Sequence, residues 1–584
     1  ADGGFAEPSL VDFDRDGDLD VLIMEGHESR VVFQEGPGRF ASEAIAPTNR
    51  VGDQVGSKLE DGVVTTADGF ADVYGQFVEN GWNSLEHNPE FGGQGMPKLV
   101  GAAAYELWHG ANMAMALCPT LTSGAIDAIE THGSEELQSI YLEKLVSGEW
   151  TGTMNLTEPG AGSDLSAVRS KAVPDGDHYR ISGQKIFITW GEHDAAENII
   201  HLVLARLPDA PEGTRGISLF LVPKFLVNAD GSLGERNDLV ASAVEHKLGI
   251  HGSPTCVMSF GDNDGAIGYL VGQENKGLAC MFTMMNAARL AMGTQGVAVS
   301  ERAYQAAASY AKERIQGGAH GHEGKVAIIE HPDVRRMLLL MRSQTEAGRA
   351  LVLTAMAAMD RANQAKDDAE RAAQQARVDL LTPIVKAWAT ENAQEITSLG
   401  VQIHGGMGYV EETGAAQFYR DARITTIYEG TTGIQALDLI GRKTLRDGGE
   451  AAKAMLAEME QAGEALAASD KLGDMSPAYM ACIGQARDAL DWVLEQGPSD
   501  PNIPASAAVP YLMLMGTACG AWMMVRAALA AQADMDNGDN APYLAGKVLT
   551  TRFYLDQVAP RAAGLLTTVR GGVGVITAAD TEWF

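Results

Sequence analysis

The chain has 584 residues and carries 77 acidic against 44 basic side chains, a formal net charge of −33. That balance excludes a general nucleic-acid binder and a protein held on anionic lipid, since both need a basic footprint. Apolar residues make up 45% and charged residues 21%, ordinary globular usage that excludes disorder or collagen-like repetition, and the length suggests three or four domains.

Residues 1–37 form an Asp-rich segment. Within it Asp12, Asp14, Asp16, Asp18 and Asp20 spell DxDxDGxxD, which spaces oxygens suitably for Ca²⁺; as an EF-hand it fails, because the twelfth position is Ile23 and not Glu. An acidic surface turn is the other reading. A helical pattern begins near Gly38, with apolar spacing at Leu99, Ala102, Ala103 and Leu107, then at Ile126, Ile129, Leu137 and Ile140. From about 151 the period shortens. Residues 179–189, 199–205, 217–222 and 256–260 read as β-strands separated by Gly, Pro and Asp clusters, which predicts a compact antiparallel barrel or sandwich. Helical spacing returns at Gly277 and continues through Ala-rich segments to about 445, and a second helical block occupies 451–584. The expected domains are therefore 38–150 helical, 151–275 β-barrel, 276–445 helical bundle and 451–584 additional helical. This segregation excludes a βαβ sheet.

Two features bear on compartment. Cys118, Cys256, Cys280, Cys482 and Cys519 form no CxxC pair, and read as reduced, buried thiols of a cytoplasmic protein. No basic segment leading into an apolar run opens the chain, so no secretory signal is expected. The stretch Pro501–Val525 is uncharged, with Gly516 and Gly520 spaced as GxxxG. Pro501, Pro504 and Pro510 interrupt it, which favours a buried helix packed through small residues over a membrane span.

Asn155-Leu-Thr-Glu-Pro-Gly-Ala-Gly-Ser-Asp164 combines little side-chain bulk with several backbone donors. It is a loop able to approach a flat ring or a pyrophosphate closely, or a simple Gly-rich turn before the first strand. It is neither a P-loop nor a GxGxxG turn. Tyr428-Glu-Gly-Thr-Thr432 leads into a helical run, so Glu429 reads either as a helix-capping carboxylate or as a catalytic one. Gln402-Ile-His-Gly-Gly-Met-Gly408 is a second glycine turn. Arg289 and Arg314 fall within helical patterns, where each alone reads as a solvated or ion-paired side chain.

Taken together, TEPGAGSD at 157–164, SGQKIFIT at 182–189, HGGMGY at 404–409 and IYEGTTGIQ at 427–435 resemble, in order and spacing, the acyl-CoA dehydrogenases. The resemblance covers about residues 38–443. The region 451–584 is similar to the extra helical domain of a longer branch that includes 3-(methylthio)propanoyl-CoA dehydrogenases, and His251–Cys256 and Met284–Arg289 fit that branch. The resemblance implies a mainly α fold with a central β-barrel, FAD as cofactor, and α,β-desaturation of an acyl-CoA thioester of short or medium chain.

It also implies residue roles. Glu429 is the base that removes the α-proton, and its own backbone N–H helps stabilise the charge developing on the thioester oxygen. Some branches carry the base at the position held here by Ala288, which cannot accept a proton. Leu156 and Thr157 match contacts to the flavin pyrimidine edge, Thr189 the hydroxyl near N5, Ser163 the pyrophosphate side, and Phe187 an aromatic cover over the ring. Arg314, Gln402, Gly405 and Gly406 match positions that reach the FAD of a neighbouring subunit, and Thr431 lies near the adenine. Ser163, Arg289, Tyr428 and Gly430 match substrate contacts. Two departures concern the adenine pocket: Gly317 replaces the usual aromatic after Arg314, with extra residues around Ala319–Gly324, and Gly433 replaces a frequent Gln. The implied partners are an electron-transfer flavoprotein and a second copy of the chain in a homodimer. A longer-chain dehydrogenase, an acyl-CoA oxidase and a non-catalytic scaffold on the same fold are the alternatives.

Overall fold

The computed structural model describes residues 38–228 and 230–584, together with the backbone of three strands, β1 (Ser9–Val11), β2 (Asp20–Glu25) and β3 (Glu28–Val31), which pair as an antiparallel sheet. The candidate Ca²⁺ residues Asp12, Asp14 and Asp16, and the side chain of Asp20, lie outside the described residues. The chain forms two compact units, residues 34–291 and a unit containing 292–584.

The first unit opens with α1 (Ala46–Val55), the short hairpin β4 (Lys58–Glu60) and β5 (Val63–Thr65), and α2 (Phe70–Glu79). Then come α3 (Lys98–His132) and α4 (Glu135–Ser147). The continuous helical spacing of α3 conceals a break: Asn112 is extended at φ −157° and ψ 99°. Its Oδ1 accepts from the Met115 amide at 3.2 Å and its Nδ2 donates to Thr48 Oγ1 at 2.9 Å, so it caps the second half of the helix.

The β-domain comprises β6 (Trp150–Asn155), β7 (Lys171–Asp175), β8 (His178–Thr189), β9 (Asn198–Arg206), β10 (Ile217–Pro223), the small hairpin β11 (Phe225–Val227) with β12 (Leu233–Arg236), β13 (Leu239–Val244), β14 (Thr255–Phe260) and β15 (Ala266–Val271). The main sheet runs β13-β14-β8-β15-β10-β9-β6, and β7 pairs with both β8 and β9 to close a ring. The expectation of a purely antiparallel sheet is corrected: β6 and β7 each pair with β9 in parallel. A second correction concerns the TEPGAGSD loop, which follows the strand β6 instead of preceding the first one. Nearly every residue of β6 is buried, the polar ones included: Thr151 meets His193 at 2.9 Å and Thr153 meets His201 at 2.7 Å.

β9 and β10 separate two cores by side-chain alternation. Ile200, Leu202, Leu204, Ile217, Leu219 and Leu221 pack with α3 and α4 residues such as Ile126, Ile129 and Leu142. Val203, Ala205, Phe220 and Val222 turn the other way, toward Ile181, Ile188 and Met258.

The second unit is helical. It takes in α5 (Gly277–Glu313) from Met292 onward, α6 (Pro332–Gln364), α7 (Asp368–His404), α8 (Ala415–Ala422) and α9 (Thr432–Leu437). It continues with α10 (Glu450–Ala467), α11 (Ser476–Gln496), α12 (Asn502–Asp536), α13 (Pro542–Gln557), α14 (Arg561–Arg570) and α15 (Val573–Ala578). Ala303, Ala307, Met341, Ile396 and Ile403 knit α5, α6 and α7.

Helix α12 is long and apolar enough to cross a membrane by length and composition, yet 83% of its most apolar window is buried in the fold. The GxxxG spacing explains how. A Cβ on Gly516 would stand 2.3 Å from Trp388 Cγ, and one on Gly520 2.3 Å from Tyr554 Oη, so the two glycines let α12 meet α7 and α13 at close range. Polar bonds add to this: Arg561 forks onto both oxygens of Glu395 at 2.7 and 2.8 Å, and buried Glu346 receives Arg342 at 2.7 Å and Lys547 at 3.2 Å. All five cysteines are buried and unpaired, as their spacing suggests.

Candidate active site

In the first unit, the loop after β6 carries Leu156 and Thr157, both half-buried, and Ser163, which is exposed. Its base is stitched shut: the Glu158 and Ala161 backbones exchange two hydrogen bonds of 2.9 and 3.0 Å. The Glu158 carboxylate accepts from the Arg169 amide at 2.7 Å, the Ser170 amide at 3.0 Å and Ser170 Oγ at 2.6 Å. With those bonds made inward, the amides of Thr157, Gly162 and Ser163 have no partner among the described residues.

Strand β8 passes beside this loop and ends in Phe187, Ile188 and Thr189. Its register against β14 shifts between Cys256 and Met258, leaving Ile186 and Phe187 opposite Val257 alone, a β-bulge. Phe187 takes up the irregularity at φ +61° and remains 59% exposed, an aromatic ring that the local fold does not cover. Thr189 is half-buried beside it. The bulge therefore re-aims Phe187 out of the ladder.

Arg289 and Ala288 lie on α5. The expectation of a solvated or ion-paired Arg289 is refined. Its side chain is buried, Nη1 donates to Asn286 Oδ1 at 3.3 Å, and the guanidinium stands 5.8 Å from the Phe282 ring centroid.

In the second unit, Glu429 occupies a left-handed backbone position at φ +57°, followed by Gly430 at +91°. For a non-glycine residue this conformation costs on the order of 1–3 kcal/mol and persists only where neighbours enforce it. Gln435 is one such neighbour. Fully buried, it donates from Nε2 to the Glu429 carbonyl at 3.1 Å. A Cβ on Gly430 would stand 2.6 Å from that same nitrogen. Thr431 is itself the N-cap of α9, its Oγ1 accepting from the Ile434 amide at 3.3 Å, so that cap is made without the Glu429 carboxylate. The Tyr428 hydroxyl donates to Gln295 Oε1. Burial, and then the carboxylates of Glu429 and Asp421, push that hydroxyl well above its usual range.

Arg314, Gln402, Gly405 and Gly406 are all exposed. A Cβ on Gly405 or Gly406 would meet nothing within 4 Å, so this turn stays open to a ligand or a second chain. The residues after Arg314 form a loop closed by the Ile315–Ala327 bridge, with Gly317, Gly321 and Gly324 at positive φ.

Sequence reasoning passed over Lys185, Glu158 and Gln435, which hold these segments in shape. A lysine at an inward position of an apolar strand was the available signal for the first. The residues present fit FAD: an uncovered aromatic ring, a threonine hydroxyl on the same strand, and a glycine loop with unengaged amides suit a flat ring with polar edges and its pyrophosphate.

Comparison with known proteins agrees. Residues 30–149, 153–263 and 275–445 match the N-terminal, middle and C-terminal domains of acyl-CoA dehydrogenases, and 450–580 match the domain described as acetyl-CoA dehydrogenase C-terminal like. The chain belongs to the acyl-CoA dehydrogenase family, and it is an FAD-dependent enzyme that desaturates an acyl-CoA thioester. It is 52% identical to 3-methylmercaptopropionyl-CoA dehydrogenase of Ruegeria pomeroyi, over 89% of each chain. It is 38% identical to a butyryl-CoA dehydrogenase of Syntrophomonas wolfei, over 91% of this chain and 90% of that one. A Bacillus anthracis acyl-CoA dehydrogenase structure complexed with FAD shares the fold at a TM-score of 0.74 and 21% identity, covering 94% of this chain and 88% of that one.

Proposed function

We propose that Glu429 is the catalytic base and that the substrate is a short thioether acyl chain, 3-(methylthio)propanoyl-CoA. The Ruegeria pomeroyi relative, matched at 52% identity, supports the substrate. The observation that carries the base is the strained φ of Glu429 in a turn whose capping task Thr431 already performs.

The Glu429 carboxylate takes the α-proton, and the electrons of that C–H bond become the new Cα=Cβ double bond as the β-hydride departs. FAD, when bound, supplies the hydride acceptor at N5. Half-burial of Glu429 limits its hydration. The Glu429 amide donates to the thioester oxygen, where charge develops, and Gly430 leaves that oxygen room. Leu156, Thr157, Ser163, Phe187 and Thr189 would hold FAD. Thr431 would contact its adenine, and Arg314, Gln402, Gly405 and Gly406 would reach the FAD of a second copy in a homodimer. The exposure of Met407, Tyr409 and Val410 beside those glycines supports an interface there. Ser163, Arg289, Tyr428 and Gly430 meet the acyl-CoA. Electron-transfer flavoprotein is the acceptor and the cytoplasm the compartment; the burial of all five thiols supports the latter.

Anaerobic flavin bleaching by a panel of acyl-CoA thioesters tests the substrate. We expect 3-(methylthio)propanoyl-CoA and butanoyl-CoA to bleach fastest; a preference for long chains would overturn the assignment.

A further inference from the structure

One buried ion pair joins the loop and the strand that the reading above places against FAD. Lys185 lies at an inward position of β8 and is fully buried. Its Nζ donates to the Leu156 carbonyl at 3.0 Å and to Glu158 Oε1 at 2.8 Å. One residue on, the Ile186 amide donates to the Thr157 carbonyl at 2.9 Å. Both carbonyls of the Leu156-Thr157 pair are thus claimed by β8, and the next residue, Phe187, leaves the ladder at its bulge. Glu158 is 7% exposed, so its charge is met almost wholly by Lys185, the amides of Arg169 and Ser170, and the Ser170 hydroxyl.

We propose that Lys185 is a positioning residue: its ammonium, anchored on Glu158, clamps Leu156-Thr157 to β8 so that loop and strand meet the flavin as one rigid surface. The proposal rests on the FAD reading and adds a determinant of cofactor affinity 27 residues away in sequence from its partner.

A lysine in such a place is costly as a cation and of little use without its proton, because Glu158 then keeps a buried charge with no counter-ion. Burial pushes the ammonium down to about 8, against the pull of Glu158. Glu158 is held below the usual carboxylate range: its burial would raise it, and Lys185 with the surrounding donors outweighs that. Glu158 is the charged group acting on Lys185; Arg169 meets the pair through its backbone amide. The clamp therefore loosens as pH rises through about 8.

The test is FAD affinity of the full-length protein from pH 6.5 to 9.5 by flavin fluorescence, in wild type, Lys185→Met and Lys185→Arg. Unfolding of each apoprotein is followed in parallel. We expect wild-type affinity to fall severalfold with a midpoint near pH 8. We expect Lys185→Met to bind FAD about tenfold more weakly at pH 7, equivalent to about 1.4 kcal/mol, with the pH dependence gone, and Lys185→Arg to recover part of the loss. Wild-type affinity at pH 7 in Lys185→Met would overturn the clamp and leave the FAD reading intact. Should Lys185→Met not fold, the wild-type profile decides: a flat curve across pH 8 overturns the clamp. Wild-type protein that takes up no FAD at all would overturn the reading beneath it.

Discussion

Gly430→Ala isolates the backbone next to the proposed base. The new methyl would sit at φ +91°, where an L-residue is strained, and 2.6 Å from Gln435 Nε2. Gln435 is fully buried and its amide already holds the Glu429 carbonyl, so it cannot swing into solvent. Strain contributes on the order of 1–3 kcal/mol. Loss of the Gln435 hydrogen bond, with its donor left buried, contributes about another 1–3 kcal/mol. The segment relieves this by moving, and a displacement of about 1 Å at a reacting group lowers rate by about 10²-fold. Gly433→Ala is the matched control: its Cβ meets only Thr431 Oγ1, at 3.8 Å. The assay is anaerobic stopped-flow bleaching of bound FAD by 3-(methylthio)propanoyl-CoA, normalised to flavin content. We expect Gly430→Ala to bleach about 10²-fold more slowly with FAD retained, and Gly433→Ala to match wild type. Equal rates for the two variants would refute the idea that this turn's geometry controls proton removal.

Two further predictions concern stability. Gly516→Ala places a methyl 2.3 to 2.7 Å from Trp388 Cγ, Cδ1 and Cβ, atoms close to the α7 backbone that cannot rotate away. We expect overpacking to outweigh the gain in helix propensity, for a net loss of about 1–2 kcal/mol, whereas Gly484→Ala on α11, with nothing within 4 Å, should stabilise; calorimetry of both checks the sign. His251 is held as an imidazolium, Nδ1 lying 2.8 Å from the Asp53 carbonyl and 3.1 Å from its carboxylate, and Nε2 2.8 Å from the Lys247 carbonyl. The Asp53 hydrogen bond, opposed by partial burial, lifts the ring to about 9. Because the folded value is raised, the stabilisation is complete below about 6.5 and is lost as pH rises through about 9. His251→Gln should therefore be less stable than wild type at pH 6, by about 1 kcal/mol once solvent screening is allowed for, and equal to it at pH 10; a difference that grows with pH in urea titrations would contradict this.

What the sequence made legible was local. Residues 179–189 read as a strand because apolar and polar positions alternate along much of their length, and Glu429 stood out because its turn chemistry is contiguous. The parallel pairing of β6 with β9 was hidden, since the direction of pairing depends on a partner strand some 50 residues on. The break at Asn112 was hidden for a different reason. Apolar spacing continues through it, and the hydrogen bond from Asn112 to Thr48 that favours an extended asparagine comes from another helix. The Lys185–Glu158 pair needed two motifs, each visible alone, to be placed side by side. Gln435 closes the IYEGTTGIQ motif, yet only the fold shows that it holds the Glu429 carbonyl.

Glu429→Gln replaces the carboxylate with an amide of the same shape and leaves the turn and its Gln435 bond in place. Rapid anaerobic mixing of this variant with 3-(methylthio)propanoyl-CoA is the most direct test of proton removal at this residue. We expect FAD bound at wild-type stoichiometry and bleaching slowed by about 10²–10⁴-fold, the range for loss of a general base. Bleaching at the wild-type rate would place the base elsewhere in the chain.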